Sequence, residues 1–139
     1  RTPRYPRDTM IRNSRQVTLL SVEELASLST DLEVAEIRPE WLGGNMLVSG
    51  IPMLTQLPRG TRLYFPKRAS LVVEGPNLPC KGPGKVIQGN YPEKDNLVEA
   101  FVRVALKRRG IVAWVERPGR ITAGDLFEAV LPEKEDYPE

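Results

Sequence analysis

The sequence predicts a mainly β domain: a small barrel of short strands with a few helices on its periphery. Three observations lead there. Five segments of five or six apolar and β-branched residues are separated by clusters of turn-forming residues. The chain holds 13 Pro and 11 Gly in 139 residues, which interrupts it too often for long helices to dominate. Helix-start signals open only two stretches. The length fits one domain, and 40% hydrophobic with 27% charged residues is ordinary globular usage, which argues against wholesale disorder.

Residues 1–14 read as a basic, irregular arm: Arg1, Arg4, Arg7 and Arg12, with Arg15 just beyond, face a single acid, Asp8. The arm is either a solvated lead-in or a phosphate-binding edge. The barrel then spans 15–131, opening with a strand over 15–20. Ser21 and Glu24 match a capping box, so a helix is expected over 22–29 with Leu25 and Leu28 inward. Residues 34–50 have no clean period; Trp41-Leu42-Gly43-Gly44-Asn45 forms a tight loop ahead of the apolar run Met46-Leu47-Val48. Strands at 61–65 and 69–74 pair across Pro66-Lys67-Arg68.

From Gly75 to Gly89 the chain reads as loop, with Cys80 in its middle. A longer helix over 96–108 follows, burying Leu97, Val98, Phe101, Val102, Ala105 and Leu106 on one face. Asn96 and Glu99 supply its N-terminal pattern, Lys107-Arg108-Arg109 complement its C-terminal dipole, and Gly110 stops it. Strands at 111–116 and 126–131 close the domain, and 132–139 is an acidic tail. Trp41 and Trp114 are expected in the core.

Composition excludes several chemistries. The chain has no His, which removes Ser-His-Asp triads, Cys-His dyads and imidazole acid–base catalysis from within it. One cysteine allows neither an internal disulfide nor a paired-Cys zinc site. A net charge of +2 gives no global field for DNA, and no apolar run nears the ~20 residues of a membrane span, so neither nucleic acid nor membrane is an expected partner. A reducing cytoplasmic setting is expected, where a lone thiol stays free. Numbering from Arg1 rather than Met suggests a fragment or an absent leader.

Cys80 is the first candidate for chemistry. It stands in Asn77-Leu78-Pro79-Cys80-Lys81-Gly82, and a neighbouring cation favours the thiolate, the nucleophilic and metal-binding form. The plain alternative is a buried small hydrophobe. Gly82-Pro83-Gly84-Lys85 lacks the Walker spacing, since Val86 follows the lysine, and remains only a backbone-and-lysine anion site. Asp125 reads as a turn residue.

Three segments, in order, resemble one family. Trp41-Leu42-Gly43-Gly44-Asn45-Met46-Leu47-Val48-Ser49-Gly50-Ile51 is similar to the Gly-Glu-Asn-(Ile/Leu)-x-x-x-Gly-(Ile/Leu) stretch of MOSC domains, named after the C-terminus of molybdenum cofactor sulfurase. Asn77-Leu78-Pro79-Cys80 resembles that family's Pro-Cys loop, and the segment from Gly110 to Asp125 resembles its closing Gly-Asp motif. Arg15-Gln16-Val17-Thr18-Leu19-Leu20 fits the strand that opens the common region, so the likeness covers roughly 12–131. Two features depart from the pattern. Gly44 stands where members usually carry Glu, and a Gly-Asp-x-His element is missing before Arg1.

The resemblance implies a strongly bent, mostly antiparallel barrel. It also implies that Cys80 either carries sulfur as a persulfide or ligates the molybdenum of a pterin cofactor (molybdopterin). In the second case Cys80 is both catalytic residue and metal ligand. Asn45 would then lie near the metal's oxo or pterin edge, and Arg12, Arg15 and Lys81 would reach the cofactor phosphate. The implied activity is reduction of N-hydroxylated substrates with electrons from a redox partner. A metal-free persulfide carrier would instead take sulfur from a cysteine desulfurase, with no pyridoxal phosphate in this chain. A non-catalytic interaction domain would keep the barrel alone.

Overall fold

The computed structural model describes residues 8–11 and 16–133. Eight strands run in chain order: β1 (Asp8–Ile11), β2 (Gln16–Ser21), β3 (Met46–Val48), β4 (Arg62–Tyr64), β5 (Ser70–Pro76), β6 (Ile111–Arg117), β7 (Gly119–Thr122) and β8 (Glu128–Val130). Among the described residues three α-helices accompany them: α1 (Val22–Asp31), α2 (Lys81–Asn90) and α3 (Leu97–Val104). Six strands form one sheet in the order β3-β2-β6-β5-β4-β8, curled into a half-barrel, and β1 pairs with β7 as a separate ribbon.

The mainly β class with peripheral helices agrees with the sequence reading. The sheet is mixed, however, rather than antiparallel throughout, because β2 and β3 are parallel neighbours. Parallel strands need a crossover, and α1 with the 3-10 turn Pro39–Leu42 supplies it.

Alternation along the strands sorts side chains into two cores. Val17 and Leu19 of β2 pack inside the curl with Val73 of β5 and Ile111, Ala113 and Val115 of β6. Leu20 points the other way, into a second cluster with Leu25, Leu28, Ile87 and Phe101 from the helices. The helices cover that outer face only at its Leu20 end. Trp114, opposite Gln16 on the same face, is 42% exposed rather than core, and its Nε1–H bonds Glu74. Trp41 is half-buried, edge-on to Tyr91.

The capping expectation at α1 holds in part. Ser21 Oγ accepts from Glu24 N at 3.0 Å, but the Glu24 carboxylate does not close the reciprocal bond and turns instead toward Thr55. α3 stops at Val104, short of the expected 108, because Lys107 takes a left-handed φ of 67° and turns the chain toward β6. Leu106, expected inward, is consequently exposed. Asn96 caps nothing with its side chain; Gln88 Oε1 accepts from Leu97 N instead, at 2.9 Å. Leu126 is exposed, outside the shortened β8.

α2 occupies the expected loop. Its Gly82-Pro83-Gly84 start opposes helix formation by propensity, but Pro83 sits in the first turn, where its missing N–H has no intrahelical partner anyway. Gly84 lies against α3 so closely that an added Cβ would stand 3.1 Å from the Val98 backbone. Packing thus overrides propensity. β1, β3, β7 and α2 are the elements that the sequence reading lacked, and β1 places residues 8–11 of the expected arm in a strand opposite Gly119–Thr122. Arg12, Arg15 and the acidic tail from 134 onward lie outside the described residues.

Candidate functional site

β5 delivers Cys80. Its last residue, Pro76, pairs with Ile111, and Asn77 N then donates to Gly110 O at 2.8 Å, which pins the following loop beside the entry to β6. Leu78 and Pro79 carry the chain outward, and Cys80 adopts an extended conformation as the N-cap residue of α2. Its thiol is free and exposed, and it makes no capping bond. The sulfur lies over the first turn of α2, since a Cβ on Gly82 would stand 3.9 Å from Sγ. Unpaired N–H groups and the positive end of the helix dipole favour negative charge at that place.

A buried cation lies within electrostatic reach of the thiol. Arg109 is only 7% exposed, and its Nε and Nη1 are buried with no hydrogen-bond partner among the described residues. Burial pushes its guanidinium below the usual arginine range, while the negative charge of Cys80 pulls it back up. The three cations in a row therefore have three fates. Lys107 is exposed. Arg108 returns its Nε–H to Val104 O at 3.1 Å and pairs Nη1 with Asp31 at 2.6 Å, as a helix-end cation does. Arg109 alone turns inward.

The backbone next to Arg109 is held by a buried polar chain. Gly110 N donates to Thr55 Oγ1 at 2.9 Å, and Thr55 gives Glu24 both its hydroxyl at 2.6 Å and its N–H at 3.0 Å. Burial raises the Glu24 carboxyl above its ordinary range, opposed by the two Thr55 bonds and the Arg108 charge. Gly110 ties the site together, because its N–H anchors on Thr55 and its carbonyl on the Cys80 loop. With φ at 93° and an added Cβ only 2.3 Å from Leu19 O, no other residue fits there.

The residues expected around a cofactor are not all gathered here. Lys81 is exposed at the first position of α2, next to Cys80. Asn45 is elsewhere. Its Oδ1 accepts from Thr18 N at 2.8 Å and its N donates to Thr18 O, so it extends the β2–β3 pairing. β2 and β6 lie between it and the strand that delivers Cys80. At Gly44, an added Cβ would stand 2.5 Å from Leu20 Cδ1, so the family's usual Glu would displace a core side chain. Asp125 is a turn residue as read, its Oδ2 accepting from Thr122 N at 2.9 Å. Among the described residues, no three His, Cys, Asp or Glu side chains converge on a metal position. A groove of about 650 Å³ with Arg62, Arg68 and Arg117 in its wall lies at the other end of the β5–β6 ladder, where Ser70 pairs with Arg117.

The sequence reading missed Arg109, Thr55 and Glu24 as members of this site. Arg109 sits in a basic run whose members look alike, Thr55 in an unpatterned stretch, and Glu24 in a capping signature that accounted for it fully.

The family model for the MOSC domain matches residues 6–128. The chain belongs to the MOSC family. This MOSC domain is 49% identical over 128 residues to YuaD of Bacillus subtilis (strain 168), a protein whose name proposes metal-sulfur cluster biosynthesis; the alignment covers 92% of this chain and 67% of that one. The crystal structure of YuaD from Bacillus subtilis superposes with a TM-score of 0.83 at 48% identity, covering 90% of this chain and 69% of the other. YiiM from Geobacillus stearothermophilus shares the fold at a TM-score of 0.67 and 16% identity, over 88% of this chain and 60% of its own. YiiM from Escherichia coli does so at 0.65 and 15%, over 92% and 64%. No helix among the described residues is long and apolar enough to cross a membrane.

Proposed function

We propose that this MOSC domain handles sulfur through Cys80, accepting it as a persulfide and passing it to an acceptor. The observation that carries this reading is the placement of the thiol: exposed, free and at the head of α2, with the buried, unpaired donors of Arg109 two residues from the strand entry that holds its loop. Membership of the MOSC family and the name of YuaD support a sulfur-related role. The transfer balances without an external oxidant. The Cys80 thiolate attacks the outer sulfur of a donor persulfide, such as a cysteine desulfurase carries. A new S–S bond forms on Cys80, the donor's S–S bond breaks, and the donor leaves as a thiolate. A second exchange of the same kind delivers the sulfur onward.

A finer reading places the molybdenum of a pterin cofactor on Cys80. The residues fit such a group, because a free thiol that ionises on binding suits a soft or strongly polarised metal and the unused donors of Arg109 suit its anionic substituents. Cys80 would be the protein ligand, Arg109 the buried cation beside it and Lys81 an exposed one. The bound group would supply two-electron redox chemistry, the kind needed to reduce N-hydroxylated substrates with electrons from a redox partner. Arg12 and Arg15 remain proposals for its phosphate.

The test is cyanide-releasable sulfur, molybdenum and pterin content in purified wild type and Cys80→Ser. Sulfane sulfur approaching one equivalent in wild type and absent from the variant supports the carrier. Matching molybdenum and pterin supports the finer reading. Cys80→Ser is expected to stay within about 0.5 kcal/mol of wild-type stability, because the side chain is exposed. Neither sulfur nor molybdenum in any preparation overturns both readings and leaves a non-catalytic interaction domain.

A further inference from the structure

We propose that Arg109 is the anion seat of the Cys80 site, its guanidinium holding the negative charge that the sulfur carries as a thiolate and, once loaded, on the outer atom of a persulfide. The inference deepens the sulfur-handling reading and depends on it only for the identity of the cargo.

An unpaired guanidinium is expensive to bury, and folded chains complete such a group with an anion or expose it. The described residues do neither for Arg109: the side chain is 7% exposed, and Nε and Nη1 bond none of them. A carboxylate nearby could have served. Glu24 is buried two links away through Thr55 and Gly110, but the bonds it accepts are both from Thr55. Arg108, one residue earlier, is paired with Asp31, so the fold is able to neutralise a cation in this run. Among the described residues, the ionisable group within electrostatic reach of Arg109 is Cys80, whose negative charge, when ionised, favours the guanidinium.

The two groups are also mechanically coupled. The Gly110 carbonyl holds the Asn77 N–H at the start of the Cys80 loop, and the Gly110 N–H is fixed on Thr55 immediately after Arg109. Cation and thiol thus keep their relation without a direct side-chain bond in the unloaded protein. Arg109 is therefore a positioning and charge-holding residue for whatever anionic sulfur species Cys80 carries.

The test compares two alkylating agents on the unloaded protein. Anionic iodoacetate and neutral iodoacetamide attack the same thiolate, so the ratio of their rate constants reports the local potential independently of how much thiolate is present. In Arg109→Met this ratio is expected to fall roughly tenfold. Arg109→Lys, which keeps the charge, should retain most of the wild-type ratio. Lys107→Asn, which removes an exposed charge two residues away, should change it by less than about threefold, since solvent screens that charge. An unchanged ratio in Arg109→Met overturns the proposal, and so does an equal fall in Lys107→Asn. If Arg109→Met does not fold, wild type carries the test: sodium sulfate, at ionic strength matched with sodium chloride, should lower the ratio by occupying the seat, and no effect overturns it. A lowered ratio in Arg109→Met alongside protein that never loads sulfur or molybdenum would keep the seat and remove the cargo, whereas sulfur loading with an unchanged ratio would do the reverse.

Discussion

Thr55→Val removes one hydroxyl from the centre of the buried polar chain while keeping the side-chain shape. Thr55 is 3% exposed and Glu24 4%, so solvent cannot replace what is lost. The hydroxyl donates to Glu24 at 2.6 Å and accepts from Gly110 N at 2.9 Å. Losing a bond to a charged acceptor costs about 1.5–3 kcal/mol, and orphaning a buried N–H costs about 1–3 kcal/mol. Thr55 N still serves Glu24 at 3.0 Å, so the expected loss at pH 7 is about 3–5 kcal/mol rather than the upper sum.

The cost should also depend on pH. Burial already raises the Glu24 carboxyl, and the Thr55 hydroxyl is the largest influence opposing it. A raised carboxyl binds its proton more tightly in the folded state, so its contribution to stability is complete below the unfolded value and is lost as pH rises through the folded one. Thr55→Val raises the group further and deepens that loss. At pH 4, where Glu24 is mostly protonated in both states, mainly neutral bonds are missing and the cost should shrink to about 1–2 kcal/mol. Urea unfolding followed by far-ultraviolet circular dichroism at pH 4 and pH 7 measures both values. A cost below about 1 kcal/mol at pH 7, or one that does not change with pH, would refute the reasoning.

Three further substitutions have outcomes fixed by the structure. Gly84→Ala forces a Cβ to within 3.1 Å of the Val98 backbone and should cost about 1–3 kcal/mol. Gly82→Ala, whose Cβ would meet only the Cys80 sulfur at 3.9 Å, should be neutral or stabilise α2 by up to about 1 kcal/mol; thermal melts of the pair separate packing from propensity. Glu24→Gln cannot ionise, so the stability of wild type relative to this variant should fall as pH rises above the ordinary carboxylate range, the window in which Glu24 is ionised when unfolded but still holds its proton when folded. A difference that is flat or rises across that window, in denaturant midpoints, would contradict the raised carboxyl.

Several parts of the molecule are legible in the sequence because the physics behind them is local. The alternation of Val17 and Leu19 marks β2, and the spacing of Leu97 and Phe101 marks the buried face of α3. Ser21 announces the start of α1 through a bond made three residues away. Cys80 stands out as the single thiol in a chain without His, and its loop of Pro and Gly offers little apolar material to bury it. The order of the Trp41–Ile51, Pro79-Cys80 and Gly110–Asp125 segments carries the family.

The rest depends on which residues meet through space. Gly82-Pro83-Gly84 is read locally as loop, and becomes helix because the bare Gly84 lets α2 approach Val98. Met46-Leu47-Val48 acquires a parallel partner only once the crossover through α1 returns it to β2. Trp114 is apolar enough for a core yet faces outward, because its place in β6 sets its side and the helices stop short of it. Asn45 and Cys80 share a family pattern in the chain, while the sheet order puts two strands between them. Arg108 and Arg109 are identical and adjacent, and the left-handed turn at Lys107 comes just before them. One finds Asp31 and the other is carried inward beside the entry to β6. The sequence by itself determined the class of fold and singled out the one thiol proposed to carry the function, since those rest on periodicity and composition. Which buried cation lies within electrostatic reach of that thiol was decided by the tertiary structure, because burial and the lack of a partner are properties of surroundings assembled from α1, the Thr55 turn, the β5 loop and β6, segments far apart in the chain.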